Sequence, residues 1–433
     1  MNIKDLHKLF IDSAGVSTDS RAVSQGSIFF ALKGENFDGN DYALNALKEG
    51  AAYAVCDKST IKGEKVIAVP DTLTTLQDLA RYHREWLGLP VFALTGSNGK
   101  TTTKELITLV LSTKYNVIST TGNLNNHIGV PLTLLKLKEE TDIAVIEMGA
   151  SGPGEIEALC NIALPDMGLI TNVGKAHLLG FGSFEGVKRT KGELYDALKR
   201  RGGRALYNTD NPHLQEMISQ REGLNITRYG VSAMNVTVES STLERPYLTL
   251  RLPTGRVIST HLIGSYNTDN ILAALAVGNL YGTDPELSIK AIESYHPSNN
   301  RSQLVSGKSN TLIVDAYNAN PTSMRAALEN FIQMKFPFKG LIIGDMLELG
   351  EDSRKEHREI LDIIAGMGVS LMLFAGTEFK SAAGNDPFFA SKALFFNTSS
   401  DMREYLLQNT PSNMAILIKG SRGTRLEKVT DIL

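Results

Sequence analysis

The stretch VFALTGSNGKTT, residues 91–102, decides the fold of the central part of this chain. Its first five residues predict a buried strand, and a helix is expected from about Lys100 to Leu111. Glycines let the turn between them point backbone N–H groups inward at a phosphate, with Lys100 and a magnesium-binding Thr101 hydroxyl beside it. The usual spacing G-x-x-x-x-G-K-[ST] fails, because Leu94 stands at the first glycine position. A plain surface turn is the alternative, but the buried-type strand before the turn favours phosphate binding.

Alternating strand and helix patterns continue on both sides of this turn and predict an α/β protein of three domains. Residues 1–86 read as a small mixed α/β domain. Residues 87–300 read as a P-loop-like ATPase domain with a parallel sheet, and the period-two pattern of Val236–Leu262 adds a small antiparallel side sheet. Residues 301–433 repeat the alternation of a Rossmann-like doubly wound domain, after a linker at His296–Arg301.

Composition excludes several classes of protein. The 433 residues carry a net charge of −3, which argues against general nucleic-acid binding. No apolar run approaches the roughly 20 residues that cross a bilayer, and MNIKDLHKLF lacks the apolar core of a signal peptide. Cys56 and Cys160 have neither metal-ligand spacing nor a disulfide pattern. We therefore expect a soluble, cytoplasmic enzyme without membrane insertion.

Two further motifs follow predicted strands of the central domain. Ile146-Glu147-Met148-Gly149 places a carboxylate at a strand's carboxyl end, where open α/β sheets bind ligands. Glu147 is either a metal ligand or a residue that caps the next helix. His177, in NVGKAH, is on its own more often a structural histidine, but its position on the same sheet edge favours a magnesium or substrate role.

The remaining candidate motifs are weaker when taken singly. Lys191, on a predicted helix, reads from the pattern alone as a solvated surface charge. Asp315 in DAYNANP is well placed for ribose hydroxyls, although Asn-Pro is also an ordinary helix start. GDMLELG (344–350) and KGSRG (419–423) follow strands of the last domain, and each is slightly better explained as an ordinary turn than as an anion site.

Taken together, these motifs resemble the Mur ligase family of ATP-dependent amide-forming enzymes. The resemblance covers the whole chain: TGSNGKTTT, EMGA, NVGKAHLLGFGS, KGE, YNTDN and DAYNANP occur in the family's order. The shortened turn is similar to the family's phosphate loop, which explains the failed spacing. Thr18-Asp19-Ser20-Arg21 and Phe37-Asp38-Gly39 are similar to the family's uridine-nucleotide domain. Tyr266 is a departure from the family pattern, since relatives usually carry histidine before the asparagine that corresponds to Asn267. The departure concerns the detail of nucleotide contact at that position.

The resemblance implies a role for each matching residue. Lys100, Glu147, His177 and Lys191 would be catalytic; Thr101, Glu147, His177 and a carbamylated Lys191 would hold two Mg²⁺ ions. The expected ATP-binding residues are Gly96, Ser97, Asn98, Gly99, Lys100, Thr101, Thr102, Asn267, Arg301, Asp315 and Asn318. The expected UDP-substrate residues are Ser20, Arg21, Phe37, Asp38, Gly39, Asn123, Asn125 and Asn126. The assignment for Lys191 reverses the surface interpretation and depends on the resemblance alone.

Within the family, DAYNANP, GDMLELG and GNLNNHIGVP are most similar to the member that adds D-alanyl-D-alanine to UDP-N-acetylmuramoyl-tripeptide. The resemblance therefore implies a monomeric ligase with these two small-molecule substrates, in which residues 1–86 bind the UDP substrate, 87–300 bind ATP, and 301–433 serve the nucleotide and D-alanyl-D-alanine. Tripeptide formation, folate glutamylation, a P-loop kinase and a non-catalytic UDP-sugar binder are the alternatives.

Overall fold

A computed structural model describes residues 1–239, 246–298 and 300–433. The predicted α/β class is confirmed, with successive sheets along the chain. Residues 240–245, within the predicted antiparallel segment, and Asn299, in the predicted linker, lie outside the described residues. No helix in the described ranges is long and apolar enough to cross a membrane.

The N-terminal part is a parallel sheet in the order β1-β2-β5-β6, with a small β3-β4 ladder. Asp71 caps the longest helix here by accepting from the Thr74 amide, and Gly88 ends it in the left-handed conformation. The helices are α1 Ile3–Ile11, α2 Ala43–Lys48 and α3 Thr72–Leu87. The strands are β1 Val16–Ser17, β2 Ile28–Phe30, β3 Lys33–Gly34, β4 Phe37–Asp38, β5 Tyr53–Cys56 and β6 Val66–Ala68.

The central part is an all-parallel sheet in the order β12-β11-β10-β7-β9-β8, which buries its apolar strands under helices on both faces. The predicted strand at 91–95 and helix at 100–111 are confirmed to the residue. The strands are β7 Val91–Thr95, β8 Val117–Ser119, β9 Ile143–Glu147, β10 Met167–Ile170, β11 Arg204–Asn208 and β12 Asn225–Tyr229. The helices are α4 Lys100–Leu111, α5 Gly129–Leu134, α6 Glu155–Ala163, α7 Leu178–Phe181, α8 Phe184–Arg201, α9 Pro212–Ser219 and α10 Val231–Met234.

An antiparallel sheet, β13 Thr237–Glu239, β14 Thr249–Arg251 and β15 Val257–Ser259, follows the central sheet. It confirms the side sheet predicted from the period-two pattern. Two helices complete the central part, α11 Thr268–Leu280 and α12 Pro285–Glu293, and α11 packs against α4. The phosphate-loop helix is therefore held from behind by a long buried helix.

The C-terminal part is a sheet in the order β16-β17-β21-β18-β19-β20, parallel except for the antiparallel edge strand β16. The helices that begin at Pro321 and Ser399 each have a capping box, with Asn320 and Thr398 as the cap residues. The strands are β16 Gln303–Ser306, β17 Thr311–Asp315, β18 Lys339–Gly344, β19 Leu371–Ala375, β20 Ala393–Phe396 and β21 Ala415–Lys419. The helices are α13 Pro321–Gln333, α14 Ser353–Ala365, α15 Glu378–Ala383, α16 Pro387–Lys392 and α17 Ser399–Gln408. Both edge strands, β16 and β20, were missed from the sequence, because half of β16 (QLVS) is polar and β20 (ALFF) follows α16 with no turn residue between them.

Helix α3 joins the N-terminal part to the central one. A buried hydrogen-bond chain runs across this junction: His7 Nε2 lies 3.0 Å from His83 Nδ1, and His83 Nε2 lies 2.9 Å from the Leu137 carbonyl. Because that carbonyl only accepts, His83 donates from Nε2 and its Nδ1 accepts the His7 proton. His83 must therefore be neutral for the chain to form, because a protonated ring could not accept at Nδ1.

We expect acid to weaken this junction. Burial lowers the pKa of His7 to about 4 and also lowers the pKa of His83. The unfolded histidines take up protons near pH 6.5, so this contribution to stability is complete above pH 6.5 and is lost as the pH falls toward about 4; at pH 5 the loss from His7 is about 2 kcal/mol. The loss of stability is measured by thermal unfolding of the wild type and of His83→Gln at pH 7 and at pH 5. An equally steep acid dependence in His83→Gln would contradict this assignment.

Candidate active site

The turn after β7 has the geometry of a phosphate loop. Gly99 has φ +77°, and a Cβ on it would lie 2.7 Å from the Asn270 side-chain oxygen. Gly96, with φ +145°, leaves no room for a Cβ, which would lie 2.0 Å from Thr171 Oγ1. Both positions therefore require glycine. The turn leads directly into α4, so backbone N–H groups and the positive end of the helix dipole face the same space.

Lys100 folds back over this loop. Its Nζ donates to the Gly96 carbonyl at 2.7 Å. Burial lowers the pKa of Lys100, while the nearby Glu147 carboxylate opposes that shift. An anionic ligand in the loop would give this ammonium group a stronger partner than a neutral carbonyl.

The segment after β10 braces the phosphate loop from the side. The Ser97 amide donates to the Asn172 carbonyl at 3.0 Å, and the Gly174 amide donates to Ser97 Oγ at 2.9 Å. Asn98 exchanges hydrogen bonds with the Asn172 side chain, each at 3.0 Å. The predicted NVGKAH motif is therefore part of the loop's own support.

Glu147 ends β9 and is 1% exposed. One carboxylate oxygen accepts from Asn125 Nδ2 at 2.8 Å, and the other, Oε2, has no hydrogen-bond partner among the described residues. A buried carboxylate oxygen without a partner is costly unless a cation meets it. This favours the ligand interpretation of Glu147 over the helix-cap interpretation, and hard oxygen donors suit magnesium.

His177 lies in the left-handed conformation, with φ +52°, and its Nδ1 contacts the Glu348 carboxylate of GDMLELG. Burial lowers the pKa of His177, and the positive charge of Lys100 adds to that effect, while Glu348 opposes it. The structure thus brings two separately predicted motifs, from different parts of the chain, into contact beside the phosphate loop.

Lys191 lies on α8 and is 2% exposed, so the surface-charge interpretation of this residue is wrong. Its Nζ donates to the Ala150 carbonyl at 3.3 Å and lies 5.2 Å from the centre of the Phe181 ring. Burial, assisted by the charge of Lys100, lowers the pKa of Lys191 to about 7. A substantial neutral fraction near pH 7 is unusual for lysine and makes its amine nucleophilic.

The C-terminal part closes the other side of the cleft. Asn320 Nδ2 donates to Asn98 Oδ1 at 2.7 Å, which joins DAYNANP directly to the phosphate loop. Arg301 stacks on Tyr317, with 3.7 Å from its guanidinium carbon to the ring centre. Asp315 pairs with Lys419 at 2.5 Å. The resulting cavity of about 560 Å³ is large enough for a nucleotide.

Most of the predicted ATP residues line this cavity, but their side chains are not all free. Asn267 donates to the Ile263 carbonyl at 2.7 Å and accepts from Asn270 at 2.8 Å, so its amide is used within the protein. Tyr266, the departure from the family pattern, bonds Ser302 at 2.8 Å. The predicted residues lining the cavity are Ser97, Asn98, Gly99, Lys100, Thr101, Thr102, Asn123, Asn125, Asn126, Glu147, His177, Asn267, Arg301, Asp315 and Asn318.

The predicted uridine-nucleotide residues lie elsewhere. Ser20, Arg21, Phe37, Asp38 and Gly39 are not among the residues lining the cleft. In the structure Arg21 pairs with its neighbour Asp19 at 2.7 Å, and Asp38 caps a turn by accepting from the Asn40 amide at 2.9 Å. Asn123, Asn125 and Asn126 are the substrate candidates that do reach the cleft.

Several residues of the site were not singled out from the sequence. Asn320, Tyr317 and Lys419 stood inside quoted motifs, but their contacts with Asn98, Arg301 and Asp315 join distant parts of the chain. Asn270 and Thr103 support the loop from α11 and α4, through a 2.9 Å bond. Asn270 also stood inside a quoted motif, YNTDN, but its partner Thr103 lies 167 positions away in the chain.

A phosphate loop that faces a buried carboxylate, in a cleft closed by the C-terminal part, defines a nucleotide-binding enzyme. Three family models match the chain: Mur ligase family, catalytic domain, at 12–84; Mur ligase middle domain at 94–278; and Mur ligase, glutamate ligase domain, at 300–422. This chain belongs to the Mur ligase family and is an ATP-dependent, amide-forming ligase.

Relatives match over nearly the full length. UDP-N-acetylmuramoyl-tripeptide–D-alanyl-D-alanine ligase of Bacillus subtilis is 36% identical, covering 96% of this chain and 92% of the relative. A crystal structure of MurF from Acinetobacter baumannii has a TM-score of 0.85 at 32% identity, covering 96% of this chain and 92% of that one. MurF ligase from Thermotoga maritima in complex with ADP has a TM-score of 0.85 at 27% identity, covering 97% of each.

Proposed function

We propose that this ligase adds D-alanyl-D-alanine to UDP-N-acetylmuramoyl-tripeptide, with ATP converted to ADP and phosphate, in the synthesis of peptidoglycan precursors. The observation that carries the proposal is full-length similarity to relatives of that name, combined with a cleft that the C-terminal sheet completes. The reaction needs one site for ATP and two for the molecules to be joined.

The chemistry follows from this arrangement. The tripeptide's terminal carboxylate attacks the γ-phosphate of ATP, and the loop amides with Lys100 stabilise the charge that develops on the phosphoryl oxygens. The acyl phosphate formed is then attacked by the amine of D-alanyl-D-alanine, and phosphate leaves. Because an acyl phosphate hydrolyses readily, the C-terminal part must cover the cleft during the second step.

Magnesium fits the donor set, because Glu147 presents a buried carboxylate oxygen without a hydrogen-bond partner. Thr101, Glu147, His177 and a carbamylated Lys191 would hold two ions, which would neutralise phosphate charge and polarise the γ-phosphate. The buried Lys191, with its lowered pKa, supports carbamylation, because only a neutral amine adds CO₂.

The UDP substrate would extend from the N-terminal part to the cleft. Ser20, Arg21, Phe37, Asp38 and Gly39 would contact the nucleotide, and Asn123, Asn125 and Asn126 the muramoyl peptide. We propose the domain boundaries 1–86, 87–300 and 301–433 on the same basis. Cytoplasmic location and a monomeric state remain predictions from the sequence.

A small cavity of about 100 Å³ beside His177 suits the second substrate. It lies at the carboxyl edge of the C-terminal sheet and is walled by the small Ala176 and Ala319, with Glu348 and Arg422 among its lining residues. Arg422 forms no ion pair within the part of the chain that the structure describes. A zwitterionic amino substrate would place its ammonium group toward Glu348 and its carboxylate toward Arg422.

We expect Arg422→Gln to raise the KM for D-alanyl-D-alanine by about 10- to 100-fold, because a charge-assisted hydrogen bond is lost. The KM for ATP should stay unchanged. D-alanyl-D-alanine amide, which lacks the carboxylate, should be a poor substrate of the wild type. The Arg422→Gln variant should show little preference for D-alanyl-D-alanine over this amide. Arg425→Gln, three residues further along, is the matched control. If the wild type and Arg422→Gln preferred D-alanyl-D-alanine over its amide to the same extent, the substrate carboxylate would not bind Arg422.

The proposed function is tested by phosphate release and amide formation with UDP-muramoyl-tripeptide and ATP. We expect both to depend on D-alanyl-D-alanine and to be weak with diaminopimelate, lysine or glutamate. Preference for one of those three amines would indicate another ligase of the family. ADP formed without an amide and without dependence on an amine would indicate a kinase-like activity instead.

A further inference from the structure

The segment Asn172–Leu179 lies between the phosphate loop and the C-terminal part and touches both. On one side the Gly174 amide donates to Ser97 Oγ at 2.9 Å. On the other side the Lys175 amide donates to Thr322 Oγ1 at 3.1 Å, and the Leu179 amide donates to the Glu348 carbonyl at 3.3 Å. Gly174 packs so closely that a Cβ would lie 2.7 Å from Thr322 Oγ1. Movement of the C-terminal part must therefore disturb this segment.

One ion pair crosses the same contact. Lys175 Nζ lies 2.5 Å from Glu356 Oε1, in the first turns of α14. The Glu356 side chain is 3% exposed, and within the described ranges the structure gives its carboxylate no other hydrogen-bond or ion-pair partner. The neighbouring acidic groups Glu359 and Asp352 also act on Lys175 and, with Glu356, raise its pKa. If the C-terminal part moved away, the Glu356 carboxylate would lose its cation.

The residue after Glu356 holds the other side of the contact. His357 is fully buried, its Nδ1 donates to the Ser353 carbonyl at 2.7 Å, and its Nε2 accepts from the Met346 amide at 3.0 Å. Met346 lies in GDMLELG, the loop whose Glu348 meets His177. Helix α14 therefore fixes both the loop that faces His177 and the carboxylate that binds Lys175.

We propose that Lys175 and Glu356 are a positioning pair that locks the C-terminal part onto the phosphate-loop support when the cleft closes, and thereby keeps His177 and the GDMLELG loop in register during transfer. Neither residue touches the reacting atoms. The pair acts on the phosphate loop through Gly174, the residue before Lys175, whose amide donates to Ser97. It acts on His177 because that residue follows Lys175 by two positions in the same segment. Loss of the pair leaves each substrate site intact but lets water reach the acyl phosphate. The proposal uses the proposed function only to supply the reaction that is measured.

Glu356→Gln and Lys175→Met test the pair. We expect kcat for ligation to fall by about tenfold or more with KM for ATP nearly unchanged, since the lost interaction acts in the closed state. ADP released per amide formed should rise above the wild-type ratio. The double variant should be no worse than either single variant, because one interaction is removed in each case. Lys175→Arg keeps the positive charge and should therefore keep the ratio of ADP released to amide formed close to that of the wild type.

Asp362→Asn is the matched control, since it breaks the Arg358–Asp362 pair (2.7 Å) within the same helix, α14. X-ray scattering with a non-hydrolysable ATP analogue and UDP-muramoyl-tripeptide should show compaction of wild type and control, and less in Glu356→Gln. Variants with wild-type kcat and compaction, or with activity lost at a wild-type ratio of ADP to amide, would overturn the proposal. If the wild type compacts normally but makes no amide, the proposed function fails, and the scattering comparison still decides the role of the pair.

Discussion

Lys100→Ala is expected to abolish ATP turnover, with a fall in kcat of about 10³-fold or more, as for loss of a group that stabilises transition-state charge. Lys100 Nζ is held over the loop by the Gly96 carbonyl, in the space that the loop amides face. Its pKa is lowered by burial, so a bound phosphate would gain an ammonium group that is weakly solvated and already positioned. Phosphate release under saturating substrates measures the effect.

Two comparisons make this prediction specific. Lys114→Ala removes an exposed lysine just beyond the end of α4, where it donates to the Gly282 carbonyl at 2.9 Å, and should leave turnover nearly unchanged. Thermal unfolding should show that Lys100→Ala is folded. Turnover within a factor of a few of the wild type in Lys100→Ala would mean that the turn at 96–101 does not hold the transferred phosphate.

Lys191→Ala should have the second largest effect, with ligation falling by about 10²-fold or more if a carbamate is the working form. The lowered pKa of about 7 gives the direction of the pH dependence. Above pH 7 the amine is mostly neutral and adds CO₂, and below pH 7 it is mostly protonated and does not. After removal of CO₂, added bicarbonate should therefore restore activity well at pH 8 and poorly at pH 6.

The modification itself is measurable. The wild type incubated with ¹³C-bicarbonate should show a carbamate resonance that is absent in Lys191→Ala. Lys188→Met is the control on the same helix, since Lys188, three residues before Lys191, pairs with Glu216 at 2.6 Å. Full activity of Lys191→Ala, or of the wild type in CO₂-free buffer at all pH values, would rule out a catalytic carbamate.

The central strand-turn-helix could be predicted to the residue, because its signals are local. Residues 91–94 form a continuous apolar run, and the glycines at 96 and 99 have positive φ, a backbone conformation that glycine adopts most readily. The capping residues of α13 and α17 are local in the same way. The edge strands β16 and β20 were missed because half of β16 is polar and because β20 follows α16 with no turn signal between them.

The site was predicted unevenly for the same reason. Glu147 and His177 could be proposed because the carboxyl ends of parallel strands share one edge of a sheet. Lys191 was judged exposed from its residue type, although Leu194, Tyr195 and Leu198 follow it at i+3, i+4 and i+7 and mark the buried face of α8. Before the structure, only the resemblance to the Mur ligases corrected that interpretation. The pairing of Asn98 with Asn320, 222 positions apart, has no sequence signal at all.

The sequence by itself thus determined the α/β class, the phosphate loop and the family, because these depend on backbone conformation and short-range pattern. The tertiary structure decided the burial of Lys191, the unpaired oxygen of Glu147 and the contacts of Lys175 with Glu356 and of His177 with Glu348. Those properties depend on which distant segments exclude water from a side chain. Desolvation and charge pairing across domains are set by packing, and no local pattern encodes them.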